Sequence, residues 1–257
     1  MFNAHDDALL TIFKEEPEVA QSLIKAINEN RPSVEQIIQH GAEGPSEQRS
    51  YVRPLDNAVL QNNIGLIKVL LYAGADVNFK SHHQNTVLAV ASGRNDIDPS
   101  TVELLVQAGA EVNIQHGLNN VTPLISAAYD AKKLAILLKA GADVNARDDS
   151  GESALHRAAR ASSEYRTPSY DAVALLLQYG AKVNSESRWG HSPLKRALNE
   201  NNNGKIIQLL LDNGADIQDT RRDGKTIYDF YDQRFAASYA ENKKVIEDHW
   251  KKLYSES

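Results

Sequence analysis

The chain has 257 residues, 42% hydrophobic and 24% charged, with a formal net charge of −6 and a sequence pI near 5.8. Those fractions belong to a folded protein, and the acidic excess argues against sequence-independent nucleic-acid binding, which needs a cationic face. Cysteine is absent, which excludes disulfides and thiolate metal sites and suits a reducing compartment such as the cytoplasm, and no apolar run approaches the roughly 18 residues of a membrane span.

In chain order, Met1–Asp7 lacks the basic region and apolar stretch of a secretory signal. A capping helix is expected over 6–15, stopped at Pro17. A degenerate unit over 17–49 completes an N-terminal section of 1–49 and ends in His40-Gly41-Ala42. The Gly-Ala pair then recurs at Gly74, Gly109, Gly141, Gly180 and Gly214. Counted from Gly41, the intervals are 33, 35, 32, 39 and 34 residues. Each pair follows an apolar helical stretch and precedes a polar one, as in Gly74-Ala75-Asp76-Val77-Asn78 and Gly141-Ala142-Asp143-Val144-Asn145. The period defines five units, at 50–83, 84–116, 117–149, 150–188 and 189–223. Residues 224–257 start like a further unit but contain no Gly-Ala, and a charged capping helix is expected over Glu241–Leu253.

A second element precedes each Gly-Ala: Thr122-Pro123-Leu124, Ser153-Ala154-Leu155-His156 and Ser192-Pro193-Leu194. Thr or Ser caps a helix by accepting from first-turn amides, and Pro suits the first helical position. Leucine with small residues such as Ala127-Ala128 lets neighbouring helices approach. Glycine after the second helix supplies the left-handed residue that ends it. The polar stretch, with Gly151, Gly190 and Gly224 near its tips, reads as a tight hairpin.

Together these elements resemble the ankyrin repeat, over residues 17–223. The family's Thr-Pro-Leu-His is matched in part, and among the copies quoted only His156 keeps the histidine. Val87 and Ala154 replace the proline; Asp56, Ala89, Ile125 and Lys195 replace the histidine. The resemblance implies an all-α solenoid of helix–turn–helix units with short β-hairpin loops. It also implies a non-enzymatic module that binds another protein through a concave surface of hairpin tips and first helices. A bacterial effector (exported without a cleavable signal), a toxin-immunity protein and a cytoplasmic scaffold all fit, as does a monomer.

Aligned on the family, Arg147, Arg188, Trp189, Arg222 and Lys225 fall at hairpin tips, and Arg157, Arg160, Lys195 and Arg196 on first-helix faces. Eight cations and a tryptophan thus gather in a chain of net charge −6, pointing to a partner with an acidic face and an apolar pocket. Asp149, Glu152, Glu186, Glu200 and Asp223 intrude, so the patch is mixed.

Catalytic signatures are missing. Gly224-Lys225-Thr226 ends like a phosphate-binding loop, but Asp219 stands where that loop needs glycine. His82, His83 and His116 lie on adjacent hairpins without a carboxylate at ligand spacing, and are expected to be solvated; no cofactor is implied. Tyr228, Phe230, Tyr231, Phe235 and Tyr239 read as cap packing. An enzyme with a site between cap and repeats, or a nucleic-acid-binding solenoid, remains the alternative.

Units differ in length between their helices. The third is short at Tyr129-Asp130, the second longer through Asn95–Ser100, and the fourth longest, through Arg160–Tyr170. The last insertion is expected to be an exposed loop. Deleting 162–167 should leave the melting temperature nearly unchanged; a large drop in a thermal scan would place Tyr165 in the core.

Overall fold

The computed structural model describes residues 54–72, 75–81, 84–160, 169–198, 204–217 and 240–254. The expected N-terminal cap and first unit, the loop at 161–168, His82, His83, Arg222, Lys225 and the aromatic group at 228–239 lie outside the described residues.

Helices come in pairs. They are α1 (Pro54–Leu60) with α2 (Ile64–Tyr72), α3 (Val87–Gly93) with α4 (Pro99–Gln107), and α5 (Pro123–Ser126) with α6 (Ala131–Lys139). Then follow α7 (Ala154–Ala159) with α8 (Tyr170–Gln178), α9 (Pro193–Leu198) with α10 (Gly204–Asp212), and a terminal α11 (Ala240–Tyr254). Among the described residues, strand-like pairing is confined to one bridge, His116 with Val121. The fold is all-α, and none of its described helices is long and apolar enough to cross a membrane.

Capping sets the helix starts. The hydroxyls of Thr86, Thr122 and Ser192 accept from the amides of Ala89, Ile125 and Lys195 at 3.3, 3.4 and 3.3 Å. Asp98, Asp130 and Ser169 do the same for the second helices. In the short third unit, α5 is a single turn, and Asp130 both ends the connection and caps α6. In the longer second unit, the Asn62 side chain accepts from the Asp98 amide at 3.2 Å and the Thr101 hydroxyl at 2.7 Å. The extra residues are thereby tied to the preceding helix pair.

Contacts cluster into two compact units, Met1–Glu111 and Val112–Ser257. In the first, α1 packs on α2 and α3, and α3 on α4, over a core that includes Leu55, Val59, Ile67, Leu70, Leu88 and Leu105. In the second, the first helices α5, α7 and α9 stack in order, as do the second helices α6, α8 and α10. Ala127-Ala128 and Ala158-Ala159 are buried where first helices meet, since small side chains permit that approach. Helix α11 packs on α10 with Ile246 buried.

One asparagine per hairpin joins consecutive repeats. Asn78 donates to the Gly109 carbonyl at 3.1 Å and accepts from the Glu111 amide at 2.8 Å. Asn113 pairs likewise with Gly141 at 3.1 Å and Asp143 at 2.7 Å. Asn145 does so with Gly180 at 3.2 Å and Lys182 at 2.9 Å, and Asn184 with Gly214 and Asp216, both at 2.9 Å. Each receiving glycine has φ between 83° and 88°, the left-handed geometry that ends the helix and turns its carbonyl to the asparagine.

Asn145→Ala removes a donor and an acceptor at once, stranding the Gly180 carbonyl and the Lys182 amide. Because both groups are partly solvated, the expected cost is about 1–3 kcal/mol in urea unfolding, with Asn145→Asp, which keeps the acceptor, losing less.

Candidate interaction surface

The hairpin tips of the second unit are held by their own side chains. Asp148 is buried, and one carboxylate oxygen accepts from the Ser150 and Glu152 amides, both at 2.9 Å. Its other oxygen takes the Arg157 guanidinium at 2.8 Å. In the next repeat the Ser187 hydroxyl plays the same part, accepting from the Trp189 amide at 3.3 Å and the His191 amide at 3.2 Å.

Successive tips are also bonded to each other. The Asp149 amide donates to the Asn119 carbonyl at 3.0 Å, and the Arg188 amide to the Ser150 carbonyl at 2.8 Å. The Asn120 side chain donates to the Asp149 carboxylate at 3.1 Å. Gly151 is required where the tips meet. Its φ is +72°, and a Cβ there would lie 2.9 Å from the Arg147 guanidinium and 3.1 Å from the Arg188 nitrogen.

Of the seven candidate residues among those described, the exposed ones are Arg147, Arg160, Arg188 and Trp189. Arg147 still works structurally, donating to the Gly151 carbonyl at 2.8 Å and to the Glu186 carbonyl of the following repeat. Arg160 stands at the end of α7. Trp189 is 66% exposed, and among the described residues it is the larger of two bulky apolar side chains displayed on these tips. Leu118, at 93% exposure, is the other, and its place in the Gly117–Asn120 tip is the signal that sequence reading passed over.

The first helices depart from expectation. Lys195 is buried, and its ammonium donates to the Gly190 carbonyl at 3.0 Å, so it braces its own hairpin instead of lining an open face. It occupies the motif position of His156, and like that histidine it reaches a hairpin carbonyl. Arg157 and Arg196 are half-buried in ion pairs, with Asp148 and with Glu152 of the preceding repeat. Glu152, counted in the sequence as an intruder, is the partner of Arg196, and Asp148, not counted there, is the partner of Arg157, so these two first-helix cations are largely neutralised. Arg222 and Lys225 fall outside the described residues. His116 contacts the Ser126 hydroxyl at 3.1 Å. Among the described residues, no group of three or more histidines or acids could hold a metal ion.

A family model for ankyrin repeats matches in three overlapping copies, over residues 55–148, 86–187 and 134–221. The chain belongs to the ankyrin-repeat family. Repeats of this family are protein-interaction modules. Ankyrin repeat and SOCS box protein 6 of Homo sapiens is 33% identical over 186 residues, covering 69% of this chain and 36% of that protein. Its Mus musculus counterpart is 38% identical over 120 residues, 44% of this chain and 28% of that one. The nuclear factor NF-kappa-B p105 subunit of Gallus gallus is 33% identical over 111 residues, 42% and 11% of the two chains. The chain therefore spans about a third of the length of the human relative.

The ankyrin histidine is kept at His156, which is fully buried. Its Nδ1 accepts from the Ser153 amide at 3.1 Å and lies 2.9 Å from that residue's hydroxyl, while Nε2 meets the His191 carbonyl at 3.0 Å. The ring thus clips a first helix to the next repeat's hairpin. Burial lowers its pKa from 6.5 to about 4, with Glu152 and the His191 and Ser185 carbonyls opposing and Arg147 assisting.

The native ring stays neutral where an unfolded one gains a proton. His156 therefore contributes its full stability above pH 6.5, and that contribution falls as pH drops toward 4. The loss should reach about 3 kcal/mol, at roughly 1.4 kcal/mol per pH unit. Urea unfolding at pH 7 and pH 4.5 measures it, and His156→Gln should flatten the slope in that window.

Proposed function

We propose that the chain is a non-enzymatic module that binds a partner protein through the hairpin tips and adjoining first helices of its second unit. The observation that carries this reading is Trp189, two-thirds exposed on a tip whose backbone is bonded to its neighbour. Water-exposed tryptophan is unfavourable, and on a rigid support it makes a large contact at small entropic cost. Arg147, Arg160 and Arg188 are exposed cations among the described candidate residues, and Arg188 adjoins Trp189 in the chain. The partner face is accordingly an apolar pocket with acid at its edge. Arg157, Lys195 and Arg196 act behind it, positioning the tips through Asp148, Gly190 and Glu152. The module acts as a monomer in the cytoplasm, which suits a chain without cysteine.

Capture from the source organism's lysate, with wild-type and Trp189→Ala chains side by side, tests this. The variant should bind the captured partner at least about ten-fold more weakly, with unfolding free energy within about 0.5 kcal/mol of wild type. A partner recovered equally by both chains would move the binding surface elsewhere.

A further inference from the structure

Leu118 and Trp189 stand on the first and third of three consecutive tips, 93% and 66% exposed. The tip between them carries Asp149, Ser150 and Gly151, none of them exposed, so it presents polar and less exposed residues between the two. Backbone bonds donated by the Asp149 amide to the Asn119 carbonyl and by the Arg188 amide to the Ser150 carbonyl fix the three in order. Two apolar projections therefore flank a polar saddle in a fixed relation.

Spacing and polarity then select the occupant. Packed helices lie roughly 8–10 Å apart, so tips two repeats apart are separated by roughly 16–20 Å. An extended chain advances about 3.3 Å per residue and returns to the same face every second residue, so side chains six apart match both anchors. An extended segment also brings unpaired peptide N–H and C=O groups, which a helix does not. The Asn119 side-chain amide and the Ser150 hydroxyl make no bond among the described residues and can receive them. The exposed Arg188 guanidinium beside Trp189 offers a site for a carboxylate.

We propose that Leu118 and Trp189 anchor an extended segment of a partner protein, bearing apolar side chains six residues apart and an acidic residue beside the one that meets Trp189. This rests on the protein-binding role proposed above and narrows it to one class of ligand.

The probe is a library of random twelve-residue peptides displayed on phage and selected on the full chain, with affinities then measured by fluorescence anisotropy. Enriched peptides should share the six-residue apolar spacing with an adjacent Asp or Glu. Leu118→Ser and Trp189→Ser should each weaken them at least about ten-fold with unchanged circular dichroism and melting, and Arg188→Glu should shift the selected charge from acid to base. An empty selection, peptides without the paired spacing, or affinities unmoved by both serine variants would overturn the extended-segment inference. The broader reading fails separately, when a partner captured from lysate ignores Trp189→Ala.

Discussion

Every second helix in a repeat array ends with carbonyls that no further turn of helix can satisfy. In this chain the asparagine of the preceding hairpin answers that deficit. Its side-chain amide presents a donor and an acceptor in one plane, as a peptide group does, and so binds a carbonyl and an amide of the next repeat together. Aspartate would lack the donor, and glutamine would place the pair a methylene too far out. The left-handed glycine is the other half of the device, because it swings its carbonyl out of the helix toward the asparagine. Helix termination and repeat-to-repeat register are thus a single event, and the tips are positioned as a consequence.

The rungs tolerate large differences in repeat length. Asparagine and receiving glycine are 31, 28, 35 and 30 residues apart in the four described cases, yet the bond lengths differ by at most 0.3 Å. Extra or missing residues fall between the two helices, at the end of the unit remote from the rung. A one-turn α5 and the lengthened connection after α7 therefore leave the tips undisturbed. The hairpin tips can stay in register while the opposite edge varies.

The fold was legible because repetition multiplies a weak signal: Gly-Ala, the capping Thr or Ser and the apolar stretches return together. The candidate surface was legible only in part. Family alignment brought Arg157, Lys195 and Arg196 to the right helices but could not show what their head groups touch. Long cationic side chains reach several ångströms from their backbone, so Asp148, Glu152 and the Gly190 carbonyl decide their role from outside the local sequence. Asn78, Asn113, Asn145 and Asn184 were visible as a recurring letter, but their partners are some thirty residues away and no local pattern names them. The sequence does carry a trace of the ladder. Gln218 replaces the asparagine in the copy after which no Gly-Ala follows in 224–257.

The same rung bears on how such an array can lengthen. A duplication spanning one repeat copies one asparagine and one glycine, and each new copy finds its complement in the neighbour already present. No intermediate form need carry an orphaned backbone group, and no second mutation has to arrive to repair it. Inheritance by whole units is then open at little structural risk, whereas a break inside a unit separates donor from acceptor and is selected against at once.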